Sequence, residues 1–443
     1  MEWHEEPRAN NEFSLGVLEI IKFEKTEDIV VFGRVKGKIH NGDTVYISNI
    51  GDDNYETRVT KILNIEDGPN SITNEASDCL VSIKLENGAS YNIKQGTVLH
   101  SKDQPYKEKQ VSYFNALGDY YISKKKLDLT DEEIENLTIT DCAELWRLFN
   151  WYCSKHSEEF SDEEKENNKN KIRKILASLC KKILSVSEIY CLYNKHTDEP
   201  HLFSRTSKKE NGYLCSPPDI LLCSKAYKEM FEAHYPRDKF EMRKIENGED
   251  KKEIYNFLEN VFYTNGACGA QVIFDNTAID ASMLVKKPDY SDADPKKIPI
   301  TNPELVRWML LLNQNEVAEG EIKDLNHRLY YNFMTRELSN ARFLVPMKLD
   351  EENVEKNEDG TITIKPGNKM IIPMMTGKDG RQVIPMYTDW YRLRKKYSSE
   401  WGSLVQTIEQ VIKNQDCLIN ATDFRNATGY ISKEMFEKIK SSN

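Results

Sequence analysis

Val31-Phe32-Gly33-Arg34-Val35-Lys36-Gly37-Lys38-Ile39-His40-Asn41-Gly42-Asp43-Thr44-Val45-Tyr46-Ile47 is the stretch that decides the fold of the N-terminal part. β-Branched and aromatic residues lie on both sides of Asn41-Gly42-Asp43, and an Asn-Gly pair between two such runs is a hairpin turn. Further short runs of the same kind lie at 17–21, 29–32, 79–83 and 96–99, and Arg58-Val59-Thr60-Lys61-Ile62 alternates polar and apolar side chains. Alternation of that kind marks a half-buried strand. Five or six short strands separated by turn residues predict a small closed β-barrel over residues 13–104.

Outward from the barrel the pattern changes. Residues 105–140 read as a polar connection, carrying Lys124-Lys125-Lys126 and Asp131-Glu132-Glu133. Leu145, Leu148, Phe149 and Tyr152 then recur at the spacing of one helix face. The charged stretch 162–174 leads into a second helix through Ile175, Leu176, Leu179 and Ile183, and Ile189-Tyr190-Cys191-Leu192-Tyr193 reads as a strand. Pro288, Pro295, Pro299 and Pro303 mark a linker. Beyond it Leu305, Trp308, Met309 and Leu312 repeat the helical spacing, and Phe343-Leu344-Val345-Pro346-Met347 is again a strand.

The stretches before and after the linker are comparable. Ala143-Glu144-Leu145-Trp146-Arg147 matches Pro303-Glu304-Leu305-Val306-Arg307 in Glu, Leu and Arg. Asp219-Ile220-Leu221-Leu222 followed by Ala226-Tyr227-Lys228 parallels Val383-Ile384-Pro385-Met386 followed by Trp390-Tyr391-Arg392, and the run 268–276 parallels 417–424. The expected architecture is therefore multidomain β plus α+β: a barrel at 13–104, then tandem α+β units at 141–287 and 301–440. Two related units would pack as a pseudo-symmetric pair, with their interface or cleft as the binding surface.

Composition narrows the function classes. The 443 residues leave room for roughly three domains. A formal net charge of −11 disfavours non-specific nucleic-acid binding, which needs Lys and Arg to displace counterions. Residues 13–104 alone hold ten Lys and Arg against fourteen Asp and Glu. The nine Cys are odd in number, form no C-x-x-C pair and lie mostly in apolar runs, so free thiols in a reducing cytoplasm are expected. Met1-Glu2-Trp3-His4-Glu5-Glu6 has neither the basic nor the apolar segment of a signal peptide. No run approaches the ~18 apolar residues of a membrane span.

The motifs of common chemistries are absent from the sequence. There is no G-x-x-x-x-G-K-[ST] loop for phosphates, no G-x-S-x-G nucleophile elbow and no H-E-x-x-H helix. His196 and His201 flank Asp198 in a Pro-bearing turn and read as a solvated hairpin loop rather than a metal site. Gly266-Ala267-Cys268-Gly269 could place a thiol on a tight turn, without a base partner identifiable from sequence. Acidic pairs such as Asp389 with Glu400 are expected in an acidic chain and carry no chemistry without geometry. Arg392-Leu393-Arg394-Lys395-Lys396 with Trp390, Tyr391 and Tyr397 mixes cations and aromatics, as a binding surface does and as an amphipathic helix with an aromatic core face also does.

Two resemblances follow from these residues. The stretch 31–47, with Thr57-Arg58-Val59-Thr60-Lys61-Ile62 and the run 93–99, resembles domain two of the elongation factor Tu family of translational GTPases. That barrel contacts the aminoacyl end of transfer RNA or ribosomal RNA, which implies an accessory translation role; only twelve residues precede the barrel here, so no GTP hydrolysis is expected. The C-terminal stretch resembles the SseB family, named for enhanced serine sensitivity. It does so through Ala341-Arg342-Phe343-Leu344-Val345-Pro346-Met347, the run from Gly377 to Trp390, and Cys417-Leu418-Ile419-Asn420. The resemblance implies a strand end, then Asp389 or Thr388 capping a helix that Trp390 seats on the sheet. It also implies an intracellular bacterial interaction module without a known catalytic set. The first α+β unit resembles the family more weakly, with Ser224-Lys225-Ala226 where Thr-Asp-Trp would stand.

The expected function is accordingly a non-catalytic, cytoplasmic protein-interaction module. No catalytic residues, cofactor, metal or membrane are expected, and the partner is a protein. Tyr387, Asp389, Trp390 and Arg392 are the candidate binding residues. The alternatives are a translation accessory acting through the barrel and an enzyme with an unrecognised site, Cys268 being its best candidate.

Overall fold

The computed structural model describes residues 12–48, 55–68, 71–91, 93, 95–103, 111, 114–115, 117–125, 127–210, 212–272, 278–295, 297–315, 320–349, 354–356, 362–364, 369–377, 380–421 and 426–442. Parts of the runs 93–99, 268–276, 377–390 and 417–424, the residue Lys126 and the barrel boundary at 104 lie outside the described residues. By contacts the chain forms two compact units, one of residues 1–183 with 223–234, the other of 184–222 with 235–443. This division cuts across the expected segment 141–287.

In the first unit, β1 (Phe13–Lys22), β2 (Ile29–His40), β3 (Thr44–Ser48), β4 (Tyr55–Asn64), β5 (Ile72–Thr73), β6 (Glu75–Ser77), β7 (Leu80–Leu85) and β8 (Val98–His100) build one sheet. The order β1-β8-β3-β4-β7-β2 closes on itself because β1 also pairs with β2, giving the expected barrel as six antiparallel strands. Alternate side chains fill it: Leu15, Val17, Ile29, Val31, Val35, Ile39, Val45, Ile62, Val81, Ile83 and Leu85 form one buried cluster. Gly42, with φ of +91°, turns the chain from β2 into β3, but among the described residues these two strands do not pair as the hairpin expected there: β2 pairs with β1, β6 and β7, and β3 with β4 and β8. Gly33 has another task. It faces Val17 beside a register shift in β1, and a Cβ there would stand 2.3 Å from the Gly16 carbonyl oxygen and 2.8 Å from Leu15 Cδ2.

The described part of residues 105–140 differs from the polar connection expected. Leu117, Tyr120, Tyr121, Leu127, Leu129, Ile134 and Leu137 are buried, Asp119–Lys124 forms a turn of π-helix, and Asp131–Asn136 is helical behind a Thr130/Glu133 capping box. Charges interleaved with these apolar residues lower the local average and hide a one-sided apolar stripe. The helix Ile139–Lys155 starts at a second capping box, Thr138/Asp141, and buries Leu145, Leu148 and Phe149 as its spacing predicts. Glu144 is buried on it, accepting from the Tyr227 hydroxyl at 2.6 Å and from Arg147 Nη2 at 2.9 Å, while the Arg147 guanidinium lies 4.0 Å over the Phe114 ring.

In the second unit the strand Glu188–Asn194 pairs antiparallel with Phe240–Glu246, which precedes the helix Glu253–Tyr263. Asp219–Cys223 runs parallel to Gly269–Gln271, which pairs antiparallel with Ile279–Asp280. Later in the chain Arg342–Leu349 pairs antiparallel with Gly402–Thr407, which precedes the helix Ile408–Ile412. Gln382–Met386 runs parallel to Cys417–Ile419, which pairs antiparallel with Gly429–Ile431. The helix Trp390–Lys396 follows Gln382–Met386, and a bridge between Leu344 and Tyr387 ties the two later sheets together. Among the described residues no helix is long and apolar enough to cross a membrane.

Candidate functional site

The site is built on the helix Trp390–Lys396. Asp389 is its N-cap, in extended conformation, with Oδ1 accepting from the Arg392 backbone N–H at 2.8 Å. This satisfies one of the helix's unpaired N–H groups and aims the other carboxylate oxygen at the first turn. There Asp389 Oδ2 accepts from Arg392 Nη1 and from the Thr388 hydroxyl, both at 2.7 Å.

Arg392 has 0% exposure, and its guanidinium is used on every side. Nη2 donates to Asn265 Oδ1 at 2.8 Å and lies 3.7 Å from Glu199 Oε1, and Nε donates to Asn426 Oδ1 at 3.2 Å. Glu199, 2% exposed, accepts from Asn265 Nδ2 at 2.9 Å, from Asn426 Nδ2 at 2.8 Å and from Lys395 Nζ at 3.2 Å. Two carboxylates and two cations balance, so the cluster carries no net charge into the interior. Burial opposes the charges of Arg392 and Lys395. Asp389 and Glu199 outweigh it at Arg392, and Glu199 with Tyr391 at Lys395, holding both cations above their ordinary values. Asn420, with φ of +51°, extends the network: Oδ1 accepts from the Thr388 backbone N–H at 2.9 Å and Nδ2 donates to the Ala427 carbonyl at 3.0 Å.

The four candidate residues thus divide. Tyr387 is buried, its hydroxyl donating to the Ala421 carbonyl at 2.9 Å, and Asp389 and Arg392 are consumed by the network. Trp390 is 36% exposed, and Leu393 occupies the inward position that the tryptophan was expected to take. The amphipathic pattern is inverted from the usual one, with a cation inside and aromatics outside. Trp390 lies 4.7 Å beneath the Arg394 guanidinium, and Tyr391, 45% exposed, lies 4.5 Å beneath Lys395 Nζ. A cation over each ring adds an attractive contact that orders these partly exposed aromatics.

The remaining sequence candidates are not gathered into a reactive site. Burial pushes the Cys268 thiol up despite nearby Arg307, the opposite of an activated nucleophile. Asp389 and Glu400 serve different cations, Glu400 binding Lys348 at 2.9 Å. Among the described residues no three His, Cys, Asp or Glu side chains group as a metal would require. His201 packs edge-on against Phe203 at 4.6 Å and Phe240 at 4.9 Å, and lines a cavity of 180 Å³ with Gln314, Asn326 and Tyr330.

Burial pushes the His201 imidazole down to about 4, against the pull of its hydrogen bond to Gln314. The folded state therefore resists a proton that the unfolded chain accepts near pH 6.5. The stability held above that pH drains as pH falls toward 4, and about 2 kcal/mol is expected to go between pH 7 and pH 5. Denaturant unfolding at the two pH values checks this: His201→Gln should remove that part of the slope.

Glu199, Asn265 and Asn426 were not found from the sequence. The Asn194 side chain, accepting from the His196 and Thr197 backbone N–H groups at 3.0 and 3.2 Å, folds the turn that delivers Glu199. The run Asn-Lys-His-Thr-Asp-Glu therefore signalled a turn, but nothing local signalled its distant arginine.

Comparison with known proteins bears on the same region. The family described as SseB protein N-terminal domain matches residues 328–413, which include Asp389, Trp390 and Arg392 and only a minority of the chain. No curated protein matches the chain.

Proposed function

We propose that this protein is a non-catalytic interaction module of the SseB-like kind, acting in a bacterial cytoplasm and binding a protein partner through the outer face of the helix Trp390–Lys396. The carrying observation is the exposure of Trp390 and Tyr391, each stacked under a cation, on a helix locked from behind by Asp389 and Arg392. Flat aromatics beside Arg, backed by a rigid scaffold, are what binding hot spots are made of. The raised Cys268 thiol supports the non-catalytic reading. In this reading the elements before and after the Pro-rich linker descend from one duplicated unit. Its support is the recurrence of antiparallel pair, helix, parallel pair and antiparallel strand in the same order. The network then joins the two copies, with Glu199 and Asn265 from the earlier and Asp389, Arg392 and Asn426 from the later.

The test is partner capture by the double variant Trp390→Ala/Tyr391→Ala. Affinity is expected to fall roughly thirtyfold or more, with an unchanged unfolding midpoint. Unaltered capture by the folded variant removes this face from the account.

A second reading, an accessory translation protein, is favoured by the closed six-stranded barrel. It requires RNA association that weakens steeply with salt. Absence of RNA binding at low salt eliminates it.

A further inference from the structure

Of the two corresponding antiparallel pairs, Glu188–Asn194 with Phe240–Glu246 and Arg342–Leu349 with Gly402–Thr407, one outer strand is guarded and the other is not. Phe240–Glu246 carries Glu241, Arg243, Lys244 and Glu246, with Arg243 paired to Glu241 and Asp198 and Lys244 to Glu246 and Glu188. Charges on an edge strand are how folded proteins keep other chains from adding to a sheet. Gly402–Thr407 reads Gly-Ser-Leu-Val-Gln-Thr, without a charge, and Val405 is 39% exposed.

The register shows which backbone groups it offers. Leu344 stands opposite Val405, yet Leu344 exchanges its hydrogen bonds with Tyr387, at 2.8 and 2.9 Å. Residues facing each other in an antiparallel pair exchange both bonds or neither, so the N–H and C=O of Val405 point outward. Pro346, opposite Ser403, has no N–H to give, and Ser403 is outward by the same alternation. Neither outward pair has a partner among the described residues. The outward N–H of Thr407 is covered by Gln410 at 2.8 Å, which ends the open stretch.

A cation stands at the other end of the edge. Arg394 Nη1 donates to the Trp401 carbonyl at 2.8 Å and to the Ser398 carbonyl at 2.6 Å, which holds its guanidinium at the entry to the strand, while the nearby Glu400 carboxylate is paired with Lys348 at 2.9 Å.

We infer that Gly402–Thr407 is a strand-addition site, and that its occupant is an extended segment of a partner protein with acidic residues flanking an apolar-alternating core. The main chain of that segment pairs with Ser403 and Val405, an apolar side chain lies over Val405, and a carboxylate meets Arg394. The inference rests on the interaction reading above and names the partner's chemistry.

The probe is a labelled peptide alternating valine and threonine, with two glutamates at each end, titrated by fluorescence anisotropy into the intact protein. Saturable binding is expected, weakened about tenfold or more by Val405→Pro, which removes an outward N–H and leaves the inner ladder intact. A peptide ending in lysines should bind about tenfold more weakly. Hydrogen exchange on the unsubstituted protein reads the same edge without a variant: the peptide should slow exchange at Ser403 and Val405. No saturation at millimolar peptide, or binding and exchange indifferent to this edge, overturns the inference. So does a dimer of the intact protein that Val405→Pro makes monomeric, which would give the edge to a second copy. If the peptide fails while Trp390 and Tyr391 still govern capture of the cellular partner, the edge assignment alone falls. If both fail, the interaction reading falls with it.

Discussion

Arg392→Ala is expected to destabilise the protein by about 3–5 kcal/mol, the cost of breaking a buried ion pair from one side. The substitution deletes donors to Asp389, Asn265 and Asn426 and strips Glu199 of its fully buried cation. Of the two buried carboxylates only Glu199 would then keep a cation, Lys395 at 3.2 Å. The lost methylene packing contributes about 2 kcal/mol at most, so the larger share comes from carboxylates left without partners. Arg392→Lys should recover little, since one ammonium cannot serve Asp389, Asn265 and Asn426 in three directions. Thermal unfolding should shift by roughly 10 °C. A shift below about 1 kcal/mol would mean that water replaces the guanidinium, and that the site is more open than its burial implies.

Gly33→Ala is expected to cost about 3 kcal/mol, whereas Gly42→Ala should cost only about 1. The contrast separates two reasons for a glycine. Gly42 has φ of +91° and nothing within 4 Å of an added Cβ, so only backbone strain opposes a side chain. Gly33 has no such strain, but a Cβ there collides with the backbone oxygen of Gly16 and the side chain of Leu15. Relief requires prising β1 from β2, the pair that closes the barrel. Chemical denaturation of the two variants reads the difference, and equal costs would mean that the β1–β2 contact relaxes freely.

The strands of the barrel were legible because period-two alternation and the Asn-Gly turn are local signals, whereas most of their pairings, such as β1 with β8 and β2 with β7, join strands distant in sequence. The helix faces around Leu145 and Leu305 were legible for the same reason. What was hidden is instructive in two ways. The buried residues from Leu117 to Leu137 were hidden by the lysines and acids that intervene in the sequence. At the site, Asp389, Trp390 and Arg392 were identified as a group, but their roles could not be divided, because a basic residue in an amphipathic helix ordinarily faces water. Arg392 faces inward only because Glu199, Asn265 and Asn426, far away in sequence, converge on it. Trp390 and Tyr391 face outward as a consequence. Side chains that act through partners elsewhere in the chain leave no periodicity to read.

The measurement that bears most directly on the interaction reading is affinity purification of the tagged intact protein from its native host, at low and at high salt, with RNA and protein both identified. The account predicts a stoichiometric protein partner, retained at moderate salt and lost with Trp390→Ala/Tyr391→Ala, and no RNA. Ribosomal or transfer RNA that is recovered at low salt and released at high salt, with no protein partner, would contradict it and give the function to the barrel.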